Sequence, residues 1–270
     1  MDEPLIAFVG GGNMAGAIVG GLIGAGRPPA SIVVVEPSAD ARERLARERG
    51  VRVLAAADAT LADAGLVVWA VKPQVFAEAA APCAPYVGRA LQLSVMAGIR
   101  SEAIARATGS GAVVRAMPNT PALIGQGISG LYAREAVSAD QRAWVERVLA
   151  PTGRTLWVAR EDDLDAVTAL SGSGPAYVFY LVEAMEQAAL EMGLPAAQGH
   201  ELALATVAGA AALALRSGDA PAELRARVTS KGGTTHAAMT SMEADGVKAA
   251  IVRAILAAQR RAKELGDAFG

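Results

Sequence analysis

Two glycine-rich stretches carry residue types that bind anions. The first, Gly10-Gly11-Gly12-Asn13-Met14-Ala15, follows the apolar run from Leu5 to Val9. Gly10, Gly12 and Ala15 fit the G-x-G-x-x-G/A spacing. There the first glycine makes a tight turn, the second admits a pyrophosphate to the backbone, and the small third residue lets helix and strand pack closely. A helix starting near Asn13 aims its free N–H groups and positive dipole end at the phosphates. The second stretch, Thr229-Ser230-Lys231-Gly232-Gly233-Thr234-Thr235, opens a short helix running to Glu243. Its glycines let backbone approach a ligand, its hydroxyls donate and accept, and a helix N-terminus suits a carboxylate. Met117 to Pro121 and Leu170 to Pro175 are breaks of the same kind, although Ser and Thr at any one of them could simply cap a helix.

The other polar residues narrow the chemistry. Of two histidines, His200 falls inside a helical pattern and reads as surface or structural. His236, next to Thr235, is either a ligand contact or a neighbour of a cap. No Ser/His/Asp spacing and no paired catalytic carboxylates emerge, and Glu183 and Glu186 share one helix face. Cys83 stands alone, which rules out an internal disulfide and leaves no Cys/His set for a metal. An acid at Glu36, ending the next β-branched run, can bond the ribose 2′-OH of NAD and repel a 2′-phosphate. Ser38 and Arg42 offer that phosphate a partner instead. Either NADH or NADPH therefore fits, and the acid tips the reading toward NADH.

The elements needed to position these residues are legible. Leu5 to Val9, the glycine turn, an apolar helix to Gly26 and Ser31 to Glu36 make one βαβ unit. A charged helix from Asp40 to Arg49 follows, stopped by Gly50. Strands are expected at Val51 to Leu54, Leu66 to Val71 (ended by Lys72-Pro73), Leu91 to Val95 and Ala112 to Met117. Helices are expected at Val75 to Ala81 and Ser101 to Thr108. This alternation predicts a parallel, doubly wound sheet with ligands at the carboxyl ends of its strands. Ile128 to Tyr132 and Thr155 to Val158 extend the sheet around a helix from Ala139 to Leu149. From Glu161 onward only helical patterns remain, at Pro175 to Met192, Ala196 to Arg216, Pro221 to Arg227 and Gly246 to Leu265. The fold class is α/β, with an N-terminal Rossmann-type dinucleotide-binding domain over 1–160 and an all-α substrate-binding and dimerisation domain over 161–270. Helices so poor in charge need partners on more than one face, which predicts a homodimer or higher homo-oligomer built on them.

Composition sets outer bounds. The 270 residues are 53% hydrophobic with a net charge of −2, which supports a large core and gives no electrostatic reason to bind nucleic acid or an anionic membrane. The N-terminus has no signal-peptide pattern, and no uninterrupted apolar run reaches spanning length. The expectation is a soluble cytoplasmic protein.

Four ordered motifs carry a resemblance: Ala70-Val71-Lys72-Pro73, Asn119-Thr120-Pro121, the run Asp165 to Tyr177, and most specifically Val228 to Thr235. Together with the glycine loop they resemble the Δ1-pyrroline-5-carboxylate reductases, over nearly the whole chain. Two departures stand out. Met239 replaces a usual Leu, Ile or Val, and Ala57 lies where some members carry an adenosine-binding Asn. The resemblance implies reduction of L-1-pyrroline-5-carboxylate to L-proline with NAD(P)H. It places the coenzyme on Gly10, Gly12, Asn13 and Met14, with Glu36 and Ser38 at its ribose and Ala70, Val71, Lys72 and Pro73 near the ribose and pyrophosphate. The nicotinamide would sit by Met96, Ala97 and Asn119. The substrate carboxylate would lie on Ser230, Gly232, Gly233 and Thr234, Thr235 would bond the ring nitrogen, and Glu161 would contact the amine side. The family's helices interlock between subunits, so the Thr235 loop would complete a neighbour's site. Two alternatives share the plan. A β-hydroxyacid dehydrogenase needs a lysine that the helix from Pro175 to Met192 lacks, and a nucleotide-binding scaffold would not need the Gly232-Gly233 break.

Overall fold

The computed structural model describes residues 4–269. The β-branched runs form an eight-stranded sheet: β1 Leu5–Val9, β2 Ile32–Val35, β3 Arg52–Leu54, β4 Ala64–Trp69, β5 Leu91–Ser94, β6 Val113–Met117, β7 Gly127–Ala133 and β8 Gly153–Trp157. Their order is β3-β2-β1-β4-β5-β6-β7-β8. The first six strands are parallel, connected through α1 Asn13–Gly24, α2 Ala39–Arg49, α3 Phe76–Ala80, α4 Ala84–Val87 and α5 Ser101–Thr108. The first six strands bear out the parallel, doubly wound reading, while strand β7, whose direction the sequence left open, runs antiparallel to β6. Only a 3-10 turn over Thr120–Ile124 joins the two, and a parallel crossover needs a dozen or more residues. With α6 Ala139–Leu149 between them, β7 and β8 are parallel again.

Consecutive strand residues point to opposite faces, and both faces here are buried. Ile6, Phe8, Val34 and Leu66 pack on one side with Ile18 and Val19 of α1, while Ala7, Val9, Val33 and Trp69 pack on the other with Phe76. This explains why the strands read as unbroken apolar runs. Strand β4 stops at Trp69, because Lys72 already caps a 3-10 turn begun by Pro73.

The rest is helical: α7 Asp163–Val167, a π-helical stretch Thr168–Gly172, α8 Gly174–Glu191, α9 Ala196–Ser217, α10 Pro221–Arg227, α11 Thr234–Ala244 and α12 Val247–Phe269. The break expected from Leu170 to Pro175 is therefore a π turn, closed by Ser173 N–H donating to the Thr168 carbonyl at 2.8 Å. Contacts divide the described chain into two compact units, one reaching Ser173 and resuming at Ala258, the other Gly174–Ala257. In the second unit α8 and α9 approach closely enough that a Cβ on Gly199 would fall 2.7 Å from that of Ala189. Phe179, Tyr180, Leu202, Leu213 and Leu215 remain exposed on these two helices. No single described helix is long and apolar enough to cross a membrane.

Candidate coenzyme and substrate sites

The glycine loop has the form its spacing implied. Gly10 adopts φ +97°, and its N–H donates to the Val35 carbonyl at 2.9 Å. A Cβ there would lie 2.7 Å from the Ala70 carbonyl oxygen, so both conformation and space demand glycine. Gly12 caps α1 without a side-chain hydrogen bond, and a Cβ on it would meet nothing within 4 Å. The first-turn N–H groups of α1 thus face open space beside exposed Asn13 and half-buried Met14, where a pyrophosphate fits.

Glu36 is locked onto this loop. Its Oε2 accepts from Gly11 N–H at 2.8 Å and its Oε1 from Ser38 N–H at 2.9 Å. Gly11, which the fingerprint does not single out, is the loop residue that holds this carboxylate. A Cβ on it would come 2.6 Å from Leu45 Cδ1 and 3.3 Å from Glu36 Oε2. The Ser38 hydroxyl caps α2, accepting from Ala41 N–H at 3.4 Å. Arg42 Nη1 donates to the carbonyls of Glu36 and Pro37 at 2.9 and 2.7 Å. Each carboxylate oxygen keeps lone-pair capacity for a ribose hydroxyl. Beyond the loop lies an apolar cavity of about 350 Å³ bounded by Gly10, Val35, Ala57, Val71, Ala79 and Cys83, of a size and polarity for a nucleobase. Burial pushes the Cys83 thiol up to about 11, so it lines the cavity as an inert hydrophobe.

The other rim residues follow the strand ends. Ala70 continues the ladder through its N–H to Val9, Lys72 is exposed, and Pro73 starts the turn. Met96 is buried with its N–H on Ser94 Oγ at 3.2 Å, and Ala97 beside it is half-buried. Asn119 has a bracing role that was not expected. Its Oδ1 accepts from Ile128 N–H at 3.0 Å and its Nδ2 donates to Ser171 Oγ at 3.2 Å, tying the start of β7 to the π turn.

Glu161 is likewise engaged within the first unit. Ser101 donates to it twice, from N–H and Oγ, at 2.6 Å each, and Arg115 Nη1 donates at 2.8 Å. Burial pushes its carboxyl up, but the Ser101 and Arg115 hydrogen bonds outweigh that and hold it below the usual carboxylate range. Burial lowers the Arg115 guanidinium, against the opposing pull of Glu161. The amine-side contact implied for Glu161 has to compete with three hydrogen bonds already made.

In the second unit, Gly232 has φ +79°, and Gly233 caps α11 with its N–H on the Ser230 carbonyl at 3.0 Å. A Cβ on Gly233 would meet Ser230 Oγ at 2.8 Å. No side chain caps α11, and the hydroxyls of Thr234 and Thr235 make no hydrogen bond among the described residues. Thr229, by contrast, is committed to the Arg225 carbonyl at 2.7 Å. The loop therefore presents free first-turn N–H groups and two uncommitted hydroxyls. His200 pairs with Glu186 at 2.6 Å on the helical surface, and His236 is exposed with only its carbonyl engaged, by Thr240.

A glycine-loop cradle at the carboxyl edge of a doubly wound sheet, followed by a helical unit, is the plan of the Rossmann-type dinucleotide-binding proteins. Known proteins narrow this further. Residues 5–98 match the family described as NADP oxidoreductase, coenzyme F420-dependent, and residues 161–265 match pyrroline-5-carboxylate reductase dimerisation. The pyrroline-5-carboxylate reductase of Pseudomonas aeruginosa is 44% identical over 100% of both chains. The structure of that enzyme from Coxiella burnetii covers 98% of this chain and 99% of its own at 37% identity and TM-score 0.92. The Plasmodium falciparum enzyme with NADP bound covers 98% and 99% at 25% identity and TM-score 0.87. The chain belongs to the pyrroline-5-carboxylate reductase family.

Proposed function

We propose that this protein reduces L-1-pyrroline-5-carboxylate to L-proline with a reduced nicotinamide dinucleotide, preferring NADH, and that it works in the cytoplasm as a homo-oligomer. The observation that carries the substrate side is the Thr229–Thr235 loop, whose helix has no side-chain cap and leaves Thr234 and Thr235 free to bind. The Glu36 carboxylate, fixed by Gly11 and Ser38, supports the coenzyme preference.

When bound, the coenzyme supplies a hydride to the imine carbon. The first-turn N–H groups of α1, with Gly10, Gly12, Asn13 and Met14, hold its pyrophosphate, and Glu36 takes the ribose hydroxyls with Ser38 N–H as its brace. Ala70, Val71, Lys72 and Pro73 flank the ribose and pyrophosphate, while Met96, Ala97 and Asn119 border the nicotinamide. Ser230, Gly232, Gly233 and Thr234 hold the substrate carboxylate at the positive end of α11. The Thr235 hydroxyl oxygen accepts from the N–H of the protonated ring imine, which orients the imine for hydride attack. The proton is already on the nitrogen, so hydride addition gives the neutral secondary amine and no strong acid is needed. Residues 1–160 serve the coenzyme and 161–270 the substrate and assembly. The many exposed apolar residues of α8 and α9 support the assembly role.

Steady-state oxidation of NADH and of NADPH, each with and without pyrroline-5-carboxylate, tests this. Substrate-dependent oxidation with a higher efficiency for NADH is expected. Coenzyme binding without substrate-dependent oxidation would sink the substrate assignment.

A further inference from the structure

We propose that Glu161 is a positioning residue for hydride transfer: with Arg115 it anchors Ser101, and through Ser101 it fixes the Met96–Arg100 segment that borders the nicotinamide. The proposal rests on the coenzyme placement given above. A loop at the carboxyl end of a strand is set by what holds its two ends. Here the chain leaves β5 at Ser94, turns through Gly98 at φ +78°, and enters α5 at Ser101. Ser94 Oγ holds the near end through Met96 N–H. At the far end Arg100, the N-cap of α5, makes no side-chain hydrogen bond to the helix's first turn, so the cap comes from elsewhere. It is the Glu161 carboxylate, which accepts both Ser101 donors at 2.6 Å and complements the positive end of α5.

The anchor reaches into the sheet. Arg115, in the middle of β6, has a side chain only 5% exposed and donates to Glu161 at 2.8 Å. Its Nε is buried without a hydrogen-bond partner, an unfavourable feature in a core position that an apolar side chain would avoid. The neighbouring Arg100 is held just as firmly, by Asp165 at 3.0 Å and Asp162 at 3.2 Å, with Asp267 at 3.8 Å. Glu161, Asp162 and Asp165 thus grip two consecutive residues where the nicotinamide loop becomes a helix. Three of the roughly four lone-pair positions of Glu161 are filled, which suits an anchor better than a substrate contact.

The test uses the full-length protein with Glu161→Gln and Ser101→Ala. Glu161→Gln keeps shape and an acceptor for Ser101 but removes the charge facing Arg115. Ser101→Ala leaves the ion pair intact and serves if the first variant does not fold. Three quantities are read: NADH dissociation constant, fluorescence emission of bound NADH, and kcat and KM with normal and 4-deuterated NADH. A fall in kcat of about tenfold is expected for a slightly misplaced ring, together with a larger isotope effect. KM for the imine and the NADH dissociation constant stay put, and the emission moves toward that of free coenzyme. A raised imine KM at constant kcat would make Glu161 a substrate contact and overturn the proposal. Unchanged kcat and emission in a folded variant would overturn it too, leaving a purely structural ion pair. Emission reads coenzyme alone. If the wild-type protein binds NADH but reduces no imine, the substrate reading fails while the anchor is still judged.

Discussion

Replacing Glu36 by Ser should reverse the coenzyme preference, and the geometry sets the size of the effect. The Glu36 carboxylate is fixed by Gly11 N–H at 2.8 Å and Ser38 N–H at 2.9 Å, so it cannot swing away from an incoming 2′-phosphate. Unit charges ~4 Å apart repel by ~4 kcal/mol at an effective dielectric of ~20. Glu36 is half-buried and the Arg42 guanidinium rests on its carbonyl, so screening and counter-attraction reduce this. Half of it, about 2 kcal/mol, corresponds to roughly 30-fold against NADPH. The substitution also removes a charged acceptor for the ribose of NADH, at about 1.5 kcal/mol. Together they move the ratio of NADH to NADPH efficiency by roughly 300-fold. It also frees Gly11 N–H and Ser38 N–H as phosphate donors close to Arg42. The assay is kcat/KM for both coenzymes at saturating imine, with melting temperature as a control. A folded, active variant whose ratio does not move would refute the electrostatic reasoning and place coenzyme choice elsewhere.

Thr235→Ala should lower kcat by about 100-fold with little change in coenzyme affinity, as for loss of a hydrogen bond that positions the imine. Full activity would show that its free hydroxyl does nothing. Gly12→Val should fold normally, since its Cβ points into open space, yet raise the NADH dissociation constant by at least about tenfold by filling the pyrophosphate position. Isothermal titration with unchanged affinity would place the phosphates elsewhere. Acid stability should depend on the Glu161 anchor. Its folded pKa is depressed, so its stabilisation is complete above the unfolded carboxylate value and is lost as pH falls through the folded one. Ser101→Ala removes a hydrogen bond that lowers that pKa, so the pH-dependent loss should be smaller and should finish at a higher pH. Melting temperatures from pH 3 to 7 that superimpose for variant and wild type would contradict this. Leu202→Glu with Leu213→Glu, both on exposed positions of α9, should lower the oligomeric mass by analytical ultracentrifugation. A mass equal to that of the wild type would free this face from assembly.

Patterns governed by neighbouring residues were readable in the chain itself. The glycine spacing, the β-branched runs and the 3.6-residue periodicity act over a few residues, so the βαβ start, the strand sites and the late helices follow from local sterics and burial. The resemblance of Val228 to Thr235 likewise pointed to the loop that opens α11. Contacts between distant residues decided the rest. The β6–β7 reversal depends on a short connection, and the π turn at Thr168–Gly172 exchanges an expected loop for an i−5 hydrogen bond. Gly11 has no role in the glycine spacing itself, and its bond to Glu36 exists only because β2 brings that residue, 25 positions away, to the loop. Glu161 meets Ser101 and Arg115 across 60 and 46 residues. No periodicity encodes such pairings, because they arise only when strand order brings separate loops to one edge of the sheet. Local sequence determined which residues could do chemistry, and tertiary structure decided which of them are free to do it and which hold the others in place.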